Sequence, residues 1–180
     1  PAYAAIINRL DRPVSGLVLI AKNKSAAAKY STLMQKEGGF NKQYEALICG
    51  KLSELKGTFV DYLKKDGRNN TSAVVPAESA VNDKEAKLSR LEYEVISYDE
   101  DKDISHVRIH LITGRHHQIR VQFASRRHPL VGDYKYATAD CGMDNAVKAA
   151  ALKRNQIALC AVSLTIENET YRVTPEFSIR

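Results

Sequence analysis

Between Ser105 and Ile112 the chain alternates residue by residue: Val107, Ile109 and Leu111 fall on one side, His106, Arg108 and His110 on the other. A period of two belongs to a β-strand, and an apolar stripe on one side of a strand has to be covered by a core. The same period recurs from Lys42 to Cys49, where Tyr44, Ala46 and Ile48 share a face and Leu47 and Cys49 take the other. Leu88 to Tyr98 reads as the antiparallel neighbour of Ser105 to Ile112. A chain built from such segments must form a sheet, and the rest of the sequence has to cover it.

The covering elements are few. Ala26, Tyr30, Leu33 and Met34 recur at helical spacing after Asn23 and Ser25, either of which suits a helix N-cap, and Gly38-Gly39 ends the run. Gly114 breaks the Ser105–Ile112 strand, and residues 116–126 fit a second helix with Ile119 and Phe123 on its buried side. Leu17 to Ala21 is a continuous apolar run, expected as a strand buried on both faces. Thr58 to Leu63 and Ser72 to Val75 form a hairpin around the turn formers Asp66-Gly67 and Asn69-Asn70. Ile157 to Ile166 and Thr170 to Thr174 form a closing hairpin through Asn168-Glu169. The expected architecture is a single α+β domain over residues 1–180, with a mostly antiparallel, mixed central sheet and a few flanking helices.

Composition narrows the partners. At 180 residues and 44% hydrophobic, the chain is long enough for one well-buried domain and too short for two. A net charge of +6 and a pI near 9.2 point to an anionic partner, nucleic acid before an acidic membrane surface. Cys49, Cys141 and Cys160 are odd in number and widely spaced, which indicates neither a disulfide framework nor a zinc ribbon. No apolar stretch is long enough to span a bilayer, so a cytoplasmic protein with no membrane partner is expected. His106, His110, His116 and His117 lack a cysteine or carboxylate at metal-ligand spacing, and no metal site is expected.

Four short strings, in order, carry a resemblance: RLDRPVSG (Arg9 to Gly16), KQYEA (Lys42 to Ala46), TGRHHQIR (Thr113 to Arg120) and HPLVGDYKY (His128 to Tyr136). Together they resemble the RluA-type family of RNA pseudouridine synthases, which isomerise uridine to its carbon-linked form in folded RNA. The resemblance implies the pseudouridine synthase catalytic fold and a reaction that needs no cofactor. It implies that Asp11 is the catalytic carboxylate, that Arg120 pairs with it, and that Tyr44 lies against the target base. It also implies that Arg9 enters the RNA stack where the extruded nucleotide was. Family members have strands and often a small RNA-binding domain upstream, so an N-terminal portion is expected to be missing here. Asn8 stands where a His usually precedes Arg-Leu-Asp, Gln122 where a His often follows Ile-Arg-Val, and Cys160 where a Leu-His pair is common.

The chemistry suits these residues. Moving the glycosidic bond from nitrogen to carbon requires a carboxylate that adds to the anomeric carbon, stabilises its positive charge, or takes a proton from the neighbouring sugar carbon. Burying such a carboxylate calls for a cation beside it, and a planar guanidinium suits a carboxylate better than an ammonium does. Arg9, Arg12, Arg115, His117, Gln118, Arg126, Arg127 and Lys135 are the candidate RNA contacts, with Arg115 open between a phosphate and Asp11. Ribosomal RNA is the first expected substrate and transfer RNA the second, bound by a monomer. The competing reading is a catalytically silent RNA-binding module of the same fold.

Overall fold

A computed structural model describes residues 2–36, 39–137 and 156–179. Ten strands and three helices run in the order β1 (Ala5–Ile6), β2 (Ser15–Gly16), β3 (Ile20–Ala21), α1 (Lys24–Gln35), β4 (Phe40–Cys49), β5 (Lys56–Asp66), β6 (Thr71–Val75), α2 (Ala77–Ala80), β7 (Lys87–Asp99), β8 (Ile104–Leu111), α3 (Gln118–Ala124), β9 (Leu159–Ile166) and β10 (Glu169–Arg172) among the described residues. The main sheet has the order β10-β9-β4-β8-β7-β5-β6, all antiparallel; β2 joins the outer edge of β9 in parallel, which makes the sheet mixed.

Alternation decides the two faces. Tyr44, Ala46 and Ile48 of β4, Leu91 and Tyr93 of β7, and Val107 and Ile109 of β8 enter one core with Ile119 and Phe123 of α3. Phe59, Tyr93 and Phe123 meet there with ring centroids 4.7, 5.0 and 6.0 Å apart, two of the three pairs edge-to-face, as the aromatic quadrupole favours. Leu47 and Cys49 face the other way, into a smaller cluster with Ile104, Val131 and Ala158 that Phe177 and Ile179 help to cover. A third cluster joins α1 to the far end of the sheet through Ala27, Phe40, Leu164 and Ile166. Asn23 caps α1 by accepting a hydrogen bond from the Ala26 N–H at 2.8 Å.

Three local expectations are corrected. The run Leu17 to Ala21 is not a doubly buried strand: only Ile20–Ala21 is extended in a ladder, paired with β1, and Val18 and Ile20 stand 42% and 52% exposed. Apolar content alone cannot tell such a ribbon from a central strand. The helix after Gly114 begins at Gln118 rather than at residue 116, because His117 adopts a left-handed conformation with φ 53°. The closing hairpin turns at Glu167 and Asn168, with Glu167 at φ 55°, and β10 begins at Glu169. Cys141 lies outside the described residues.

Candidate active site

The segment carrying Asp11 is pinned from both sides. Leu10 and Val14 pack against the main core. The Asp11 carbonyl accepts from the Val14 N–H at 2.9 Å, closing a turn over Pro13, and the Pro13 carbonyl accepts from the Ile157 N–H at 3.2 Å. Asn8 is buried and bridges the segment to itself: its Oδ1 accepts from the Leu19 N–H at 2.6 Å and its Nδ2 donates to the Leu17 carbonyl at 3.2 Å. Gly16 is required where it stands. With φ at 119°, a Cβ there would lie 2.5 Å from the backbone N and O of Ala161, so β2 could not reach β9 with a side chain present.

The two stretches that lie far apart in the sequence meet. Arg120 Nη1 donates to Asp11 Oδ2 at 3.1 Å across 109 residues. Arg120 is not devoted to Asp11, however. Its Nε and Nη2 form a fork on Asp133, at 2.6 and 2.8 Å, with both side chains almost wholly enclosed, whereas the Asp11 side chain is 28% exposed. Burial opposes the Arg120 charge, but the bonds and charges of Asp133 and Asp11 outweigh it and hold the guanidinium above its ordinary pKa. Asp133 thus fixes the arginine, and the arginine presents its remaining nitrogen to Asp11.

His117 lies on the other side of Asp11, with Nε2 3.6 Å from Oδ2. Burial lowers its pKa to about 4 despite the opposing pull of the Asp11 charge, so the ring is neutral near pH 7. The network chooses its tautomer. A carboxylate oxygen can only accept, so the imidazole proton sits on Nε2 toward Asp11, and Tyr136 Oη, which accepts from the Ser72 N–H at 2.9 Å, donates to His117 Nδ1 at 2.6 Å. His116 stacks on His117 with centroids 3.8 Å apart; it accepts from the Ser72 hydroxyl at 2.9 Å and donates to Asn70 Oδ1 at 3.1 Å. Lys135 Nζ donates to the Asn69 and Asn70 carbonyls. The β5–β6 hairpin tip is therefore latched to the loop that carries Arg120's neighbours.

Tyr44 projects from β4 on the same side of the sheet. Burial, and next the Asp11 charge, push its phenol up to about 12, and no hydrogen-bond partner for its hydroxyl occurs among the described residues. A protonated phenol and an ionised pair face the same space.

The remaining candidates divide. Arg9, Arg12 and Arg127 are exposed. Arg115 is exposed as well and spends its Nε on the Leu88 carbonyl at 2.9 Å. Gln118 is buried within the turn: its Oε1 accepts from Thr113 Oγ1 and the Arg115 N–H, and its Nε2 donates to the Arg90 carbonyl. Arg126 is engaged elsewhere, forked on Asp61 at 2.9 and 3.0 Å with its guanidinium 4.0 Å from the centre of the Phe59 ring. Gln122, fully buried, donates to the same Asp61, and its Oε1 has no partner among the described residues. Asp133 and Tyr136 were not read as site residues from the sequence. The available signal was a lone acidic residue in a basic stretch, within the string HPLVGDYKY.

Comparison with known proteins places the chain in a family. The family described as RNA pseudouridylate synthase matches residues 1–125, which include Asp11, Tyr44 and Arg120. The chain belongs to this family, in its RluA-type branch. It is 38% identical over 137 residues to the Ribosomal large subunit pseudouridine synthase D of Blochmanniella floridana, covering 74% of this chain and 38% of that protein. It is 32% identical over 168 residues to the protein of the same name from Vibrio vulnificus, covering 92% and 48%. The chain thus spans less than half the length of these relatives. Among solved structures, Human RNA Pseudouridylate Synthase Domain Containing 1 superposes with a TM-score of 0.76 at 25% identity, covering 97% of this chain and 69% of that one.

Proposed function

We propose that this protein isomerises uridine to pseudouridine in structured RNA, with Asp11 acting at the ribose of an extruded nucleotide. The contact between Asp11 and Arg120, 3.1 Å across 109 residues and beside buried Tyr44, whose hydroxyl has no partner among the described residues, is the observation that carries the reading. The reaction balances without a co-reactant. The bond from N1 to the anomeric carbon breaks, the base turns within the pocket, its C5 bonds to the same carbon, and the C5 proton leaves while N1 gains one. Asp11 either adds to the anomeric carbon or removes a proton from the adjacent sugar carbon. Arg120 holds the carboxylate aimed, and neutral His117 directs an N–H toward the same oxygen. Tyr44 offers a stacking face for the base and a phenol positioned for the proton transfer.

The names of the relatives support large-subunit ribosomal RNA as the substrate before transfer RNA. Arg9, Arg12, Arg115, Arg127 and Lys135 are the cations available to its phosphates, with Arg9 placed two residues from Asp11 to fill the gap left by the extruded base. A monomer working in the cytoplasm fits this reading. Arg126, His117 and Gln118 instead hold the site in shape. The test is pseudouridine formation by purified protein on unmodified transcribed large-subunit ribosomal RNA. Asp11→Ala should abolish it with RNA affinity unchanged within about two-fold, since one partly exposed carboxylate contributes little to phosphate binding. Turnover by that variant would reassign the catalytic group, and an inactive parent that still binds would leave a silent RNA-binding module.

A further inference from the structure

Lys42 is a cation on the site's own face that the proposed chemistry leaves unused. It stands two residues before Tyr44 on β4, opposite Leu111 of β8, which is buried in the same core as Tyr44. Alternation therefore directs both side chains to one side of the sheet, about 7 Å apart along the strand. Its amino group lies under the Thr113–Arg115 turn: a Cβ on Gly114 would be 3.5 Å from Lys42 Nζ. Gly114 and Arg115 are exposed above it. Among the described residues, no hydrogen bond or ion pair reaches this nitrogen. Burial depresses its pKa below the ordinary lysine value, and no neighbouring charge contributes to that shift. An ammonium held half-buried without a counter-charge costs folding free energy, whereas a lysine stem is long enough to carry its head into water. The surrounding fold keeps it half-buried beside an exposed glycine turn that puts no side chain over it.

We propose that Lys42 and the Gly114 turn form a phosphate seat, in which the ammonium pairs with the backbone phosphate beside the nucleotide whose base lies on Tyr44. The inference rests on the proposed isomerisation of uridine in RNA, because it places the phosphate relative to the extruded base. The seat supplies a counter-charge that Lys42 lacks among the described residues.

The experiment compares parent, Lys42→Met and Lys42→Arg on transcribed large-subunit ribosomal RNA. It records single-turnover rates against protein concentration, binding against salt, and melting temperature. For Lys42→Met the half-saturating concentration should rise about ten-fold, the size of one lost charged contact. Its maximal rate should remain within about three-fold, and the slope of log affinity against log salt should become shallower by roughly 0.7 to 0.9. Lys42→Arg should recover most of the affinity. The melting temperature of Lys42→Met should equal or exceed that of the parent, because an uncompensated charge has been removed. Unchanged affinity and slope would overturn the proposal, as would a lower melting temperature with a matching loss of activity, which would make the ammonium structural. A lost maximal rate at unchanged affinity would overturn it too, and assign Lys42 to the chemistry. A parent that binds without isomerising refutes the functional reading alone, since the salt slope still reports on Lys42.

Discussion

Arg120→Met removes a guanidinium whose three hydrogen bonds join two carboxylates of unequal burial. Asp133 is 1% exposed, and without Arg120 its carboxylate keeps, among the described residues, only the Lys135 N–H at 3.2 Å. Removing one partner of a buried pair costs about 3 to 5 kcal/mol, because the remaining charge stays enclosed. For a chain of 180 residues, at roughly 2 to 4 °C per kcal/mol, the melting temperature should fall by about 6 to 20 °C. Asp11→Asn is the internal control. Its side chain is partly solvated, the amide oxygen still accepts from Nη1, and the Asp133 fork is untouched, so a change of about 1 kcal/mol or less is expected. Both variants should be inactive, and only one unstable. Differential scanning calorimetry with a pseudouridine assay on the same samples separates them. A melting temperature for Arg120→Met within about 2 °C of the parent would refute the claim that Arg120 is mainly the counter-ion of Asp133. Equal destabilisation by Asp11→Asn would refute the division of roles.

Three further perturbations probe the network. Tyr44→Phe keeps the ring and deletes the phenol, so RNA affinity should hold while turnover drops about 10²- to 10⁴-fold, the usual range for a lost proton-transfer group; parent-like turnover would leave Tyr44 as a stacking surface only. His117 binds a proton less readily folded, near pH 4, than unfolded, near pH 6.5, so its contribution is fully present above about pH 6.5 and is lost as the pH falls toward 4, by up to about 3 kcal/mol. Chemical denaturation of parent and His117→Gln across that interval should converge toward acid, and parallel curves would show that the imidazole is not desolvated. Gly16→Ala forces a Cβ onto the Ala161 backbone at positive φ and should cost about 1 to 3 kcal/mol along with activity; parent-like melting would mean that β2 leaves β9 freely.

Much of the scaffold was legible because its signals are local. The alternation through Tyr44, Ala46 and Ile48, and through Val107, Ile109 and Leu111, follows from the pleat and was enough to assign strand, face and core. The cap at Asn23 and the Asp66–Asn70 turn likewise depend on neighbours within a few residues. Leu17 to Ala21 misled because apolar content records a tendency toward burial and not the presence of a covering element. His117 escaped because its left-handed backbone satisfies a network rather than a propensity.

For the site itself, the sequence alone identified Asp11, Tyr44 and Arg120 as chemically apt residues in a family pattern, and a basic composition suited to RNA. Only the tertiary structure decided that Arg120 belongs first to Asp133, that burial keeps His117 neutral, and that Lys42 has no counter-ion among the described residues. The physical reason is that ion pairing and desolvation are properties of pairs and surroundings. Residues 109 apart in the chain acquire a shared electrostatic fate only when the fold brings them within 3.1 Å, with the arginine buried and the carboxylate partly exposed.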